Sequence, residues 1–263
     1  MNKGGVFWGS MLILLGMLFL LNSLGVLTAG VWTIFWPIAL ILFGLSLLIS
    51  AFGRSRNDAG VGNGRDENLA LQIKGFEEAS IDLHIGEGYL VIESGAAPDE
   101  LLSGFFHGGV EHELGQQGEK AIVVLRLPVD WQARDGCEWR LALNGDIPLM
   151  LNLHTGTSEV SANLADTHTR QISLHSDAGR VDLTLPAAGE TTASIEGGAG
   201  LISVCVPDRV AARIEGMAGV DNLNVDEQRF PRVESGRQSA NYDEAANRVI
   251  IRVGFGAGEV KIF

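Results

Sequence analysis

LNLHTGTSEVSANL (Leu151–Leu164), ISLHSDAGRVDLTL (Ile172–Leu185), ASIEGGAGLISVCV (Ala193–Val206) and ARIEGMAGVDNLNV (Ala212–Val225) are four copies of one pattern. Each carries an apolar residue at its third slot: Leu153, Leu174, Ile195 and Ile214. Short polar or glycine steps follow, then in three copies an Ala-Gly pair: Ala178-Gly179, Ala199-Gly200 and Ala218-Gly219. The copies start 21, 21 and 19 residues apart. Two looser copies flank them, IDLHIGEGYLVIE (Ile81–Glu93) and IRVGFGAGEVKIF (Ile251–Phe263).

A period near 20 with alternating apolar residues marks stacked short strands. Each unit offers two strands of side-chain period two on either side of a glycine bend. The bend needs backbone angles that a residue with a Cβ resists. One unit cannot enclose its own apolar face, so units must stack and share a core. The expected fold is therefore an all-β soluble domain, a β-solenoid resembling a single-stranded β-helix, with corners at Gly88, Gly179, Gly200, Gly219 and Gly258. An antiparallel meander with hairpins at the same glycines is the competing arrangement. Leu-Pro and Val-Pro steps at Leu127-Pro128, Leu185-Pro186 and Val206-Pro207 end strands at matching points and favour the stack.

The apolar content is concentrated at one end. Residues 1–53 hold a single charge, Lys3, whereas the remainder carries 18 basic against 32 acidic residues, a balance of −14. Two hydrophobic runs, spans of about 5–22 and 31–52, read as a two-helix transmembrane hairpin. A cleaved signal peptide is the rival for the first run, but a second span follows directly and no small-x-small site is evident. Trp8, Trp32 and Trp36 lie near the ends of the spans, where indoles favour the headgroup level. Gly5, Gly9 and Gly16 give the first span a flat stripe suited to close packing within the hairpin or in a homo-oligomer. Glycine is also simply frequent in membrane helices. Lys3 before the first span, with Arg54 and Arg56 after the second, places the soluble domain in the cytosol beneath an inner or plasma membrane.

Four regions follow from this reading. They are the hairpin (1–53), a flexible linker (54–68), an N-terminal β-strand region (69–145) and the repeat solenoid (146–263). Pro98 to Phe106 reads as a short helical turn, and Asp226 to Asn247 as an exposed loop.

Catalytic signatures are absent: there is no G-x-S-x-G, no H-E-x-x-H and no phosphate loop. A solenoid core filled with its own side chains leaves no room for a small-molecule substrate, and no cofactor or metal is expected. Cys137 and Cys205 form no C-x-x-C pair and read as packed thiols. His107, His112 and Glu113 read as a solvated loop, not a zinc site. A domain at −14 repels both nucleic acid and anionic lipid. The fourth slot of successive units holds His84, His154, His175, Glu196 and Glu215, which parallel stacking would place in one outer column. Such a column reads either as a proton-sensitive array or as a solvated ladder without functional weight.

The hairpin ending LLNSLGVL…WPIALILFGLSLLI resembles the membrane region shared by LiaI and LiaF proteins of bacterial envelope-stress systems. WRLALNGDIPLMLNLHTGTSEVSANL…ISLHSDAGRVDLTLP…IEGGAGLISVCVP resembles the toast-rack and LiaF C-terminal β-solenoid domains. The resemblance implies a non-enzymatic, membrane-anchored accessory protein of envelope-stress signalling. Its implied partners are a membrane histidine kinase or phage-shock-like proteins. This chain departs from the pattern in having one hairpin where LiaF proteins often have more spans, and in carrying Thr157-Ser158 where Ala-Gly or Ser-Gly is usual. A surface-exposed adhesin-like module is the alternative.

Overall fold

The computed structural model describes residues 66–129, 137–216, 223–234 and 236–263, all within the compact unit Ala59–Phe263. The expected hairpin, its stripe Gly5, Gly9 and Gly16, most of the linker and the corner Gly219 lie outside the described residues. Among the described residues there is no helix, and the strands form two sheets.

Seven strands precede the repeats: β1 (Glu67–Gln72), β2 (Glu78–Ile85), β3 (Tyr89–Ser94), β4 (Glu100–His107), β5 (Glu111–Gln117), β6 (Lys120–Arg126) and β7 (Glu138–Leu143). The four repeats are strand pairs: β8 (Leu149–Thr155) with β9 (Glu159–Asn163), β10 (Thr169–Ser176) with β11 (Arg180–Thr184), β12 (Glu190–Gly197) with β13 (Leu201–Cys205), and β14 (Ala211–Gly216) with β15 (Leu223–Val225). The chain closes through β16 (Arg232–Val233), β17 (Gly236–Gln238), β18 (Arg248–Phe255) and β19 (Glu259–Ile262).

Each repeat is one coil, its first strand in one sheet and its second in the other. The first sheet runs β1-β4-β7-β3-β9-β11-β13-β19-β15 and the second β16-β17-β14-β18-β12-β10-β8-β2-β6-β5. Coils pair in parallel and in register, so like side chains stack. Leu83, Leu153, Leu174, Ile195 and Val253 form one inner row, and Leu90, Val160, Val181, Ile202 and Val260 another. All ten are essentially removed from solvent and belong to one core. Each such aliphatic chain stabilises the fold by roughly 1.5–3 kcal/mol. The period-two alternation of the sequence is thus the inside–outside alternation of the sheets.

The bends stack as well as the strands. Thr157 N–H donates to Gly86 O at 2.8 Å, Ala178 N–H to Gly156 O at 2.9 Å, Ala199 N–H to Asp177 O at 2.8 Å and Ala257 N–H to Gly198 O at 2.7 Å. Backbone groups that a corner would otherwise leave unpaired are satisfied by the neighbouring coil. This close approach explains the glycines. Gly200 has φ +129°, and a Cβ there would run into the carbonyl of Gly179, itself at φ +135° beneath the carbonyl of Ser158. In the first repeat Ser158 takes the equivalent place, buried, with its hydroxyl donating to Ile85 O at 3.3 Å.

Stacking order differs from chain order at one point. The C-terminal copy, β18 and β19, lies between the third and fourth repeats, pairing with β12 and β13 on one side and β14 and β15 on the other. All eight residues of β18 pair with the eight of β12, and the six described residues of β14 pair with its other edge. The exchange also moves the register by two: Ile214 lies beside Ile251 and, through it, Ala193, not Ile195.

Other expectations are corrected too. Glu100–His107 is strand β4, not a helical turn, because it is paired on both sides, to β1 and β7. Its Phe106 meets buried Trp139 edge-on at 5.2 Å, above Gly104. Residues 226–247 are not simply an exposed loop. They bury Phe230 and Tyr242 and supply β16 and β17, an antiparallel end to the second sheet. At the opposite end β1, β4 and β5 are antiparallel too, so different strands terminate the parallel stack at its two ends. β2 and β3 pair in parallel with β8 and β9, so the N-terminal strands and the repeats share both sheets.

Candidate functional site

The chemically richest row of the described residues is on the outer face of the second sheet. Parallel pairing sets Arg126 of β6, His84 of β2, His154 of β8, His175 of β10 and Glu196 of β12 side by side. Each is one residue beyond a buried leucine or isoleucine (Leu125, Leu83, Leu153, Leu174, Ile195), so alternation aims it outward. The imidazoles of His84 and His154 stack at 4.5 Å with their planes 3° apart, and His154 and His175 are 6.3 Å apart and tilted by 42°. His175 Nε2 lies 3.5 Å from Asp177 Oδ1, and Arg126 lies 3.8 Å from Glu113. Asn152 donates to Asp82 in the adjacent row.

Burial, then the neighbouring His154 and Arg126, lower the pKa of His84, with Asp82 opposing them. A hollow lined by His84, Arg126, His154, His175 and Asp177 opens at the bends, and a second lies around His175, Asp177, Glu196 and Gly254.

Of the five residues expected in the column, His84, His154, His175 and Glu196 are adjacent. Glu215 is not, since β18 intervenes and Gly254 stands beside Glu196. The two-residue register change pairs Glu215 with Arg252, 3.2 Å away. Sequence reasoning missed Arg126 because β6 belongs to no recognisable repeat. Its only signal is the Leu-Pro step that follows, at the point where other units end.

His107 and His112 are not in a loop: they end β4 and begin β5, in different sheets, with His107 Nδ1 2.5 Å from Asp66. Among the described residues no group of three or more His, Cys, Asp and Glu is placed to hold a metal ion. Cys137 and Cys205 are free thiols, and burial pushes that of Cys137 up to about 12, so it stays protonated and inert.

Residues 60–205 match the family model described as the N-terminal domain of toast_rack, and residues 6–48 the LiaI-LiaF-like transmembrane region. The second match supports membrane association. No curated protein matches the chain. Among solved structures, a candidate cell adhesion protein from Clostridium sporogenes is 21% identical, with a TM-score of 0.65 over 75% of this chain and 98% of that one. It shares the fold. A candidate adhesin from Bacteroides fragilis aligns at 8% identity and a TM-score of 0.31, over 77% of this chain and 99% of that one.

Proposed function

The chain belongs to the toast-rack family, and from that premise we propose that it is a non-enzymatic, membrane-anchored accessory protein of the bacterial cell-envelope stress response, acting through protein–protein contacts of its β-solenoid. One observation carries the reading. The interior is filled by aliphatic rows from both sheets, and the hollows around the histidine row open on the outer face. A stack of this kind offers long flat faces and strand edges, which suit binding to other proteins. The match of residues 6–48 to the LiaI-LiaF-like transmembrane region supports anchoring beside membrane signalling proteins. In this reading the stack faces the cytosol, as Lys3, Arg54 and Arg56 favour, and meets a membrane histidine kinase or a phage-shock-like partner.

The alternative is a surface-exposed adhesin-like module, favoured only by the description of the Clostridium structure, whose likeness extends to fold alone. Reporter enzymes fused after Phe263 separate the two. The accessory reading expects activity from a cytosolic reporter and silence from an extracytoplasmic one; the reverse pattern overturns it in favour of the adhesin. Affinity capture of the full chain from membranes, made with and without envelope stress, is expected to enrich a sensor kinase or an envelope-stress protein. Capture of neither overturns the regulatory role.

A further inference from the structure

The outer face of the second sheet has a charge pattern that reverses about β8. Counting outward from β8, strands β2, β6 and β5 lie one, two and three places to one side, and β10, β12 and β18 to the other. Arg126 on β6 and Glu196 on β12 end the histidine row, two places either side. Lys120 and Glu190 occupy the same two strands, each two residues ahead of the row that runs Ile122, Ser80, Met150, Gln171 and Thr192. Between these rows, Glu113 on β5 lies beside Val124, and Arg252 on β18 beside Ser194. They are the outer members, three places out, of the row through Asp82, Asn152 and Ser173. At these three pairs of mirror-related positions, Arg126 and Glu196, Lys120 and Glu190, and Glu113 and Arg252, the charges are opposite.

The geometry points to a second copy of this chain as the partner of this face, docked about a two-fold axis that runs along β8. Rotation about that axis lays each row on itself. Arg126 meets Glu196 of the second copy, Lys120 meets its Glu190 and Glu113 its Arg252, each contact occurring twice as an isologous interface requires. Met150 and Asn152 meet their own counterparts on the axis, His84 meets His175, and Asp82 meets Ser173. In these rows no acidic residue opposes another. That matters for a chain with 32 acidic residues, whose copies repel one another at faces lacking such a pattern. The charged side chains are accessible: those of Arg126 and Arg252 are 52% and 54% exposed, those of Glu113 and Glu190 78% and 67%. The in-chain pairs Glu190–Arg248 and Arg252–Glu215 are exposed and therefore weak enough to be shared. Half-buried Ile122, Val124 and Met150 add apolar contact near the axis. The inference goes beyond the accessory role and stands whether or not an envelope partner exists.

The test uses the full chain in its membrane, in a Cys205→Ser background, with Met150→Cys and a bis-maleimide reaching about 10 Å, the spacing of packed sheets. Met150→Cys is expected to give a product of twice the chain mass, while Ser161→Cys, on the outer face of the other sheet, stays single. Arg126→Glu or Glu196→Arg alone should lower the yield about fivefold, and the two together should restore it. Three results each overturn the dimer: Met150→Cys linking no better than Ser161→Cys, an adduct with a different protein, or a double variant no better than the single ones.

Discussion

His84 shows how a strand ladder changes the chemistry of one residue. Parallel pairing forces it between Arg126 and His154, and burial together with those neighbours lowers its pKa. The unfolded chain therefore binds this proton at a higher pH than the folded one. As pH falls below about 6.5 the unfolded state is favoured, and the loss ends once His84 is protonated in the fold as well. Nearby Asp82 opposes the shift without reversing it. Stability in urea is expected to decline from pH 7.5 to pH 5.5, and His84→Gln to decline less over the same interval. Equal declines in the two proteins would mean that the ladder places no strain on this proton. The third-slot alternation that turns His84, His154 and His175 outward is legible in the sequence alone. Arg126 is not, because it enters the row from a strand outside the repeat.

Among the elements, the bend between paired strands governs the stack. Gly200 combines φ +129° with a neighbouring carbonyl where a Cβ would stand, whereas Gly86 has open space around the same position. Gly200→Ala is expected to cost about 1–3 kcal/mol, while Gly86→Ala stays within about 0.5 kcal/mol of wild type; thermal unfolding of the two variants checks the difference. These bends were legible because glycines recurring at the coil period, between apolar alternations, mark a corner that every coil must turn. The strand at Glu100–His107 was not. Its two adjacent leucines and Phe105-Phe106 break the period-two signal, and only pairing to β1 and β7 makes it extended. The caps β16 and β17 were hidden for a related reason: short polar strands at an edge owe their conformation to the neighbour they cover, and carry no pattern of their own.

At the scale of the whole molecule, the period predicts that coils stack but not which coil touches which. The fourth repeat follows the third in sequence, yet β18 and β19 return from the chain terminus and separate them. A stack built in chain order would lose only an end rung if the last copy were removed. In this protein the last copy is an interior rung with neighbours on both sides in both sheets. Ending the chain after Asn247 would leave β12 and β13 with open edges, uncover Ile195 and Val204, and detach β14 to β17 from the stack. The buried side chains Val249, Ile251, Val253, Val260 and Ile262 would go with it. At roughly 1.5–3 kcal/mol each, that loss is comparable to the 5–15 kcal/mol by which a typical domain is stable. The truncated chain is expected to lose its cooperative unfolding transition and to be cut rapidly by protease after residue 206, whereas full-length protein resists under the same conditions. If the truncated chain unfolded cooperatively with only a small drop in midpoint, the terminal copy would have to sit at an end of the stack, with the third and fourth repeats in direct contact.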